Sequence, residues 1–419
     1  MGIRGAASLS CSSLGPCCII PFVTEGNLLA DRVSLINPSP TLALTARAQQ
    51  MRRDGIDVIA FTAGEPDFDT PEFIKGAAIE AIHAGYTKYT ASAGVPELRE
   101  AIAQKLRREN DLEYSPGQIV ASCGAKHSVY NAIMALVNPG DEAIIPTPCW
   151  VTYPEQTILA GGRPVFVETL ESDGFVPREE AVRRAITPKT KVIIVNSPNN
   201  PTGAAWPKET LESLVRIASE HGLYLISDEI YEHLVYDGGQ AVSIAGLSQD
   251  AYDRTVTING VSKTYAMTGW RLGYAAAPLE IAKAMSCLQD QATSNPCTIS
   301  QYAAIGALNS PPDWIEKMNK AFDSRRRIMV EGLNEIDGLS CAMPQGAFYA
   351  LTNVQALFGG KVSCSTDLCE HLLEKARVAV VPGEAFMAPG FVRLSYASHE
   401  DVIRRGLERI AEAVRELHA

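Results

Sequence analysis

Ile119-Val120-Ala121-Ser122-Cys123-Gly124-Ala125-Lys126 reads as a short apolar strand followed by a glycine turn, with a helix predicted over His127 to Val137. The same unit recurs downstream. Strands are expected at Glu142 to Ile145, Val165 to Glu168 and Lys191 to Asn196, the last running into Ser197-Pro198-Asn199-Asn200-Pro201-Thr202-Gly203. Helix Lys208 to His221 leads to strand Leu223 to Ser227, which ends at Asp228-Glu229. Thr255 to Ile258 and Gly273 to Ala277 complete seven strands. Short apolar strands alternating with helices predict an α/β fold with a mostly parallel seven-stranded sheet between helices.

Upstream, Leu42 to Arg53 reads as a helix with Thr41 as its N-cap, and Val58 to Thr62 as a strand leading into Ala63-Gly64-Glu65-Pro66-Asp67-Phe68. Helices Ile74 to Ala84 and Glu97 to Glu109 flank a loop containing Tyr89. Downstream, Pro311-Pro312 precedes a long charged helix, about Asp313 to Asn334. Strands at Ala347 to Leu351, Val378 to Val381 and Val392 to Tyr396, closed by helix Glu400 to Leu417, predict a smaller α+β domain. The expected organisation is a large domain over 61–310 and a small one over 311–419. Residues 27–60 form an N-terminal arm and part of the small domain, and residues 1–26 a disordered or targeting extension.

The 419 residues are 46% hydrophobic and 20% charged, and 37 basic against 48 acidic side chains leave a net charge of −11. Such a chain is not built to coat nucleic acid or an anionic membrane, and no apolar run approaches the roughly 20 residues of a spanning helix. The ten cysteines are scattered without a CxxC pair, which points to reduced thiols and no metal site. A cytoplasmic location is expected, or a plastid one if residues 1–26 are a transit peptide.

Ligands of open parallel sheets gather at the carboxyl ends of the strands, and the chemistry-bearing residues fall there. The turn Gly124-Ala125-Lys126 opens a helix whose N–H groups and dipole suit a phosphate. Trp150 and Asn200 lie just past strand ends, Asp228 ends a strand, and Tyr231 follows three residues later. Thr255 to Ile258 delivers Lys263, and Arg271 follows eight positions on. Singly, each has an ordinary reading: a core aromatic, a turn asparagine, a helix cap, a solvated lysine. Together, a lysine, a carboxylate, an aromatic plate, a phosphate cradle and an arginine describe a site for pyridoxal phosphate.

With Ala63–Phe68, Asn196–Gly203, Ser227–Tyr231, Asn259–Gly273 and Val392–Tyr396, the sequence resembles the fold-type I pyridoxal-phosphate aminotransferases of class I/II. Within them it is most similar to the bacterial and plastid-type aspartate aminotransferase subgroup that includes prephenate aminotransferases. The likeness runs from about Asp31 to the C-terminus. It implies a ping-pong transfer of an amino group between aspartate or glutamate and an oxo acid: oxaloacetate, 2-oxoglutarate or prephenate. By this resemblance Lys263 binds the cofactor aldehyde and later acts as the base at the substrate Cα. Asp228 pairs with the pyridine N–H, Tyr231 and Asn200 bond the ring oxygen, and Trp150 stacks on the ring. Gly124, Ala125, Lys126 and Arg271 hold the phosphate, joined by Tyr89 from the neighbouring subunit of a homodimer. Arg393 clamps the substrate α-carboxylate beside Gly64, and Lys126 with Thr41 marks dicarboxylate and prephenate use. One departure stands out: many relatives carry a phosphate-binding serine where this chain has Gly260, and Ser262 is the candidate replacement. An aromatic or kynurenine aminotransferase and a β-eliminating lyase remain as alternatives on the same fold. A ligand-sensing regulator would need a basic DNA-binding segment, and the leader has one arginine.

Overall fold

The computed structural model describes residues 29–38 and 40–418. The described residues up to Asn37 belong to a small unit of their own and carry one 3-10 turn, Asp31–Val33. The rest of the chain is a second unit. The extension expected over 1–26 lies outside the described residues.

In the second unit, strand β1 (Ile59–Ala60) is shorter than the sequence suggests and pairs in parallel with a late segment, Val378–Ala379. The central sheet follows: β2 (Ile119–Ser122), β3 (Glu142–Thr147), β4 (Arg163–Glu168), β5 (Thr190–Asn196), β6 (Tyr224–Asp228), β7 (Thr255–Gly260) and β8 (Gly273–Ala276). Their order across the sheet is β2-β8-β7-β6-β5-β3-β4. Only β8 pairs antiparallel with its neighbours. β2, β3, β7 and β8 are buried along their whole length, as strands covered on both faces must be. Aliphatic side chains fill the interior on either side, Val129, Ile133 and Met285 on one face and Leu211, Leu214 and Ile217 on the other.

The helix after the first glycine turn begins at Ala125, not His127, so Ala125 and Lys126 belong to its first turn. Helices Thr152–Leu159, Leu279–Ala292 and Thr298–Leu308 add to those expected. Downstream lie β9 (Ser340–Cys341), β10 (Tyr349–Asn353), β11 (Val378–Ala379), β12 (Val381–Pro382) and β13 (Phe391–Ser395). Four of them form an antiparallel sheet in the order β12-β13-β10-β9. Helices Asp313–Asn334 and Glu400–His418 contribute Phe322, Met329, Ile403 and Leu407 to its hydrophobic core. Arg393 sits in the middle of β13, opposite Leu351 of β10 and Val381 of β12.

Candidate active site

Asn196 ends β5 beside Asp228 at the end of β6, and β7 stops at Gly260, three residues before Lys263. In front of these strand ends lies a cavity of about 400 Å³. Gly64, Ala125, Lys126, Trp150, Asn200, Asp228, Tyr231, Lys263, Arg271 and Arg393 all line it, drawn from segments more than 300 positions apart.

Asp228 is buried, and its Oδ2 accepts a hydrogen bond from the Tyr153 hydroxyl at 2.8 Å. Burial pushes its pKa up to about 6, against the Tyr153 bond, the Ile230 N–H and the charge of Lys263. Asn196 ties the two strand ends together: its Nδ2 donates to the Asp228 carbonyl at 2.9 Å and its Oδ1 accepts the Asn200 N–H at 3.0 Å. Lys263 reaches across and donates to the Gly64 carbonyl. Burial brings its amine down to about 8; Glu65 opposes this, Arg271 and Arg393 add to it, and Asp228 opposes it again.

The anion cradle is built from close backbone approach. Gly124, at φ +87°, is covered by the Arg271 guanidinium, which a Cβ there would meet at 2.3 Å. Arg271 is held by bonds to the Thr268 and Cys123 carbonyls at 2.8 and 3.4 Å. The Gly124 N–H donates to the Ser122 carbonyl at 2.7 Å, which leaves the first-turn N–H groups of Ala125 and Lys126 as the donors facing an anion. Gly260 has no room for a larger residue, since a Cβ would stand 2.9 Å from the Gly273 Cα. Ser262 lines the cavity two residues on.

At the other end Arg393 is buried, donating to Asn200 Oδ1 and the Thr62 carbonyl, both at 2.9 Å. Its guanidinium lies 4.4 Å from the centre of the Tyr349 ring and 4.8 Å from that of Phe386. Among the described residues no carboxylate pairs with it, and burial lowers its pKa. The Lys126 ammonium lies 4.9 Å from the Trp150 ring centre, and burial followed by the Arg271 charge lowers its pKa.

Sequence reasoning missed Tyr153 and Tyr349. Tyr349 lines the cavity and its hydroxyl lies 2.9 Å from that of Tyr231; burial raises the pKa of both phenols, with Tyr349 adding to the shift of Tyr231 while Arg393 and the Tyr231 bond oppose that of Tyr349. No local pattern announces either tyrosine, although Tyr153 lies three residues beyond the Trp150 already singled out. Gly124 sits behind Arg271, Tyr89 stands on the surface away from the cavity lining, and the Thr41 side chain lies outside the described residues.

The model of the family "Aminotransferase class I and II" matches residues 56–410. The chain belongs to the class I and II aminotransferases. Among curated relatives, a probable aspartate/prephenate aminotransferase of Aquifex aeolicus is 49% identical over 391 residues, covering 93% of this chain and 99% of the relative. The aspartate/prephenate aminotransferase of Thermus thermophilus is also 49% identical, covering 92% and 98%. A structure of the Thermus thermophilus aspartate aminotransferase with maleate superposes with a TM-score of 0.88, at 49% identity, covering 92% of this chain and 99% of that one.

Class I and II aminotransferases use pyridoxal phosphate, and the site of this aminotransferase fits the group on its own geometry. A buried carboxylate stands at one end, a helix N-terminus under an arginine at another, and between them a lysine whose amine titrates near 8. The arrangement offers Arg271 and a helix N-terminus to a phosphate, a carboxylate to accept a ring N–H, and phenols to a ring oxygen.

Proposed function

We propose that this aminotransferase moves an amino group between aspartate or glutamate and an oxo acid (oxaloacetate, 2-oxoglutarate or, to give arogenate, prephenate) with pyridoxal phosphate in the cavity. The observation that carries the reading is Arg393: a buried guanidinium, open to the cavity, with no carboxylate partner among the described residues. An unpaired buried charge is costly, and a substrate α-carboxylate would offset that cost through a bidentate pair.

Pyridoxal phosphate, when bound, supplies an electron sink for the substrate α-carbon. Lys263 holds the cofactor aldehyde and, released, carries the proton at Cα, a task suited to an amine brought to about 8. Asp228 holds the ring N–H in its protonated form; Tyr153 orients that carboxylate from behind. Tyr231 and Asn200 donate to the ring oxygen, Trp150 covers the ring face, and Ala125, Lys126, Arg271 and Gly124 enclose the phosphate. Ser262 replaces the hydroxyl absent at Gly260. Gly64 flanks the substrate carboxylate.

Lys126, with Thr41, is the cation for a second carboxylate, and the Thermus relative's structure with maleate, itself a dicarboxylate, supports that choice. Residues 61–310 form the large cofactor-binding domain and 311–419, with part of 27–60, the small one. The enzyme is a homodimer in which Tyr89, 91% exposed within one chain, reaches the neighbouring subunit's phosphate. Turnover of prephenate, oxaloacetate, 2-oxoglutarate and phenylpyruvate with matched amino donors tests the reading. Lys126→Ser is expected to raise KM for dicarboxylates about tenfold or more, the value of one charge-assisted bond of about 1.5–3 kcal/mol. It should leave phenylpyruvate nearly unaffected. A variant with undiminished preference for dicarboxylates removes Lys126 from specificity.

A further inference from the structure

Directly behind Tyr231 lies a buried polar cluster that the chemistry above does not use. Glu232 follows Tyr231 in the chain, and three donors from two other elements converge on its carboxylate. Helix Pro96–Asn110 contributes the Lys105 ammonium and the Asn110 side-chain amide, the latter at 2.7 Å. β7 contributes the Asn259 amide at 2.6 Å. The side chains of Lys105 and Glu232 are 2% and 7% exposed. Lys105 also bonds Asn110 Oδ1 at 2.8 Å and approaches Glu109 at 3.5 Å, and His233 Nε2 lies 3.1 Å from Glu109. Burial raises the Glu232 pKa, but Lys105, His233 and Asn110 together outweigh it, so the carboxylate stays charged.

A buried ion pair of this kind is weak support for stability, because a well-packed apolar substitute does as well or better. What an apolar substitute lacks is direction. Asn259 passes the grip on: its Oδ1 accepts the N–H of Gly260, at the end of β7, at 2.7 Å. Beside it, the Glu229 N–H bonds the Ile258 carbonyl at 2.8 Å.

We propose that Glu232 is a positioning residue, whose carboxylate locks the Tyr231 turn to the Asn259-Gly260 end of β7 and so sets the Tyr231 hydroxyl and the Lys263 amine relative to one another. The inference rests on the functional reading above, in which those two groups meet the same cofactor. Neither Glu232 nor Lys105 lines the cavity, so their effect passes through Tyr231 and Lys263.

The test compares the cofactor-loaded wild type with Glu232→Gln and with the double variant Lys105→Met/Glu232→Gln. Three quantities are read: the pH midpoint of the visible cofactor absorbance, kcat with KM, and the Tm of the cofactor-free protein. Glu232→Gln leaves the buried Lys105 ammonium with the more distant Glu109, 3.5 Å away, as its carboxylate partner and should lower Tm; the double variant removes that charge and should recover most of the loss. If Glu232 positions the site, the midpoint stays displaced in the double variant by about half a pH unit or more. Its kcat stays down about tenfold or more, while KM holds within about twofold. Should the double variant not fold, Asn259→Ala, which leaves the ion pair in place, carries the same test. In either variant, an unchanged midpoint and kcat overturn the proposal. A wild type that takes up no cofactor overturns the functional reading and this inference with it.

Discussion

Asp228 is held in its protonated form to higher pH than an ordinary carboxyl, from 3.8 up to about 6, because burial outweighs the Tyr153 and Ile230 hydrogen bonds and the Lys263 charge. The cofactor-free fold therefore binds that proton more tightly than the unfolded chain does. Its contribution to stability is complete below about pH 3.8 and is lost as pH rises through about 6. Asp228→Asn removes this slope. Measured by urea unfolding of cofactor-free protein, the variant should gain on the wild type between pH 4 and pH 7 by on the order of 2–3 kcal/mol. A constant difference between the two proteins across that range would mean that Asp228 titrates normally. Lys263 has the opposite sense: its lowered pKa leaves a penalty at neutral pH that is relieved as pH rises through about 8 toward 10.5. The fold tolerates two ionisable groups in unfavourable states where a ring cation and a carbonyl would relieve both.

The glycine turn after β2 owes its shape to β8, the one reversed strand. Gly273 lies opposite Gly260 of β7 and Ser122 of β2, so close that a Cβ on it would stand 2.1 Å from the Ala125 nitrogen and 2.5 Å from the Gly124 carbonyl carbon. Those atoms are backbone and cannot rotate away. Gly273→Ala must therefore push the first helical turn out of line, and its affinity for pyridoxal phosphate should fall about tenfold or more. Equilibrium binding to the apoenzyme, with Tm alongside, measures it; unchanged affinity would separate the cradle from β8. Gly260→Ser, meeting the Gly273 Cα, should cost about 1–3 kcal/mol in urea unfolding, the usual range for overpacking. The strands of this sheet were legible because parallel strands are continuous apolar runs between turn residues. Lys263, Asp228 and Asn200 were legible because they punctuate those runs. The extent of elements was less so: Pro146 lies within β3, and helix Thr152–Leu159 carries Pro154, two residues that read locally as breaks.

Contacts across the molecule are where the sequence falls silent. Tyr153 and Asp228 are 75 positions apart and Tyr231 and Tyr349 are 118, and a tyrosine in a helix or strand looks locally like any core aromatic. Tyr89 raises the same problem between chains. It is 91% exposed, three residues after Tyr86, whose ring stacks 4.3 Å from that of Tyr302. If Tyr89 serves the neighbouring subunit's phosphate, each site needs Lys263 from one chain and Tyr89 from the other. Lys263→Ala homodimers should then be inactive, and Tyr89→Ala homodimers should hold the cofactor weakly. In a hybrid of the two, one site recovers both native residues and the other loses both. Mixing the variants under conditions that exchange subunits should restore activity above the sum of the separate parents, with each hybrid dimer carrying one wild-type site. A Tyr89 acting within its own chain predicts no gain on mixing, because no site in the hybrid would then hold both residues.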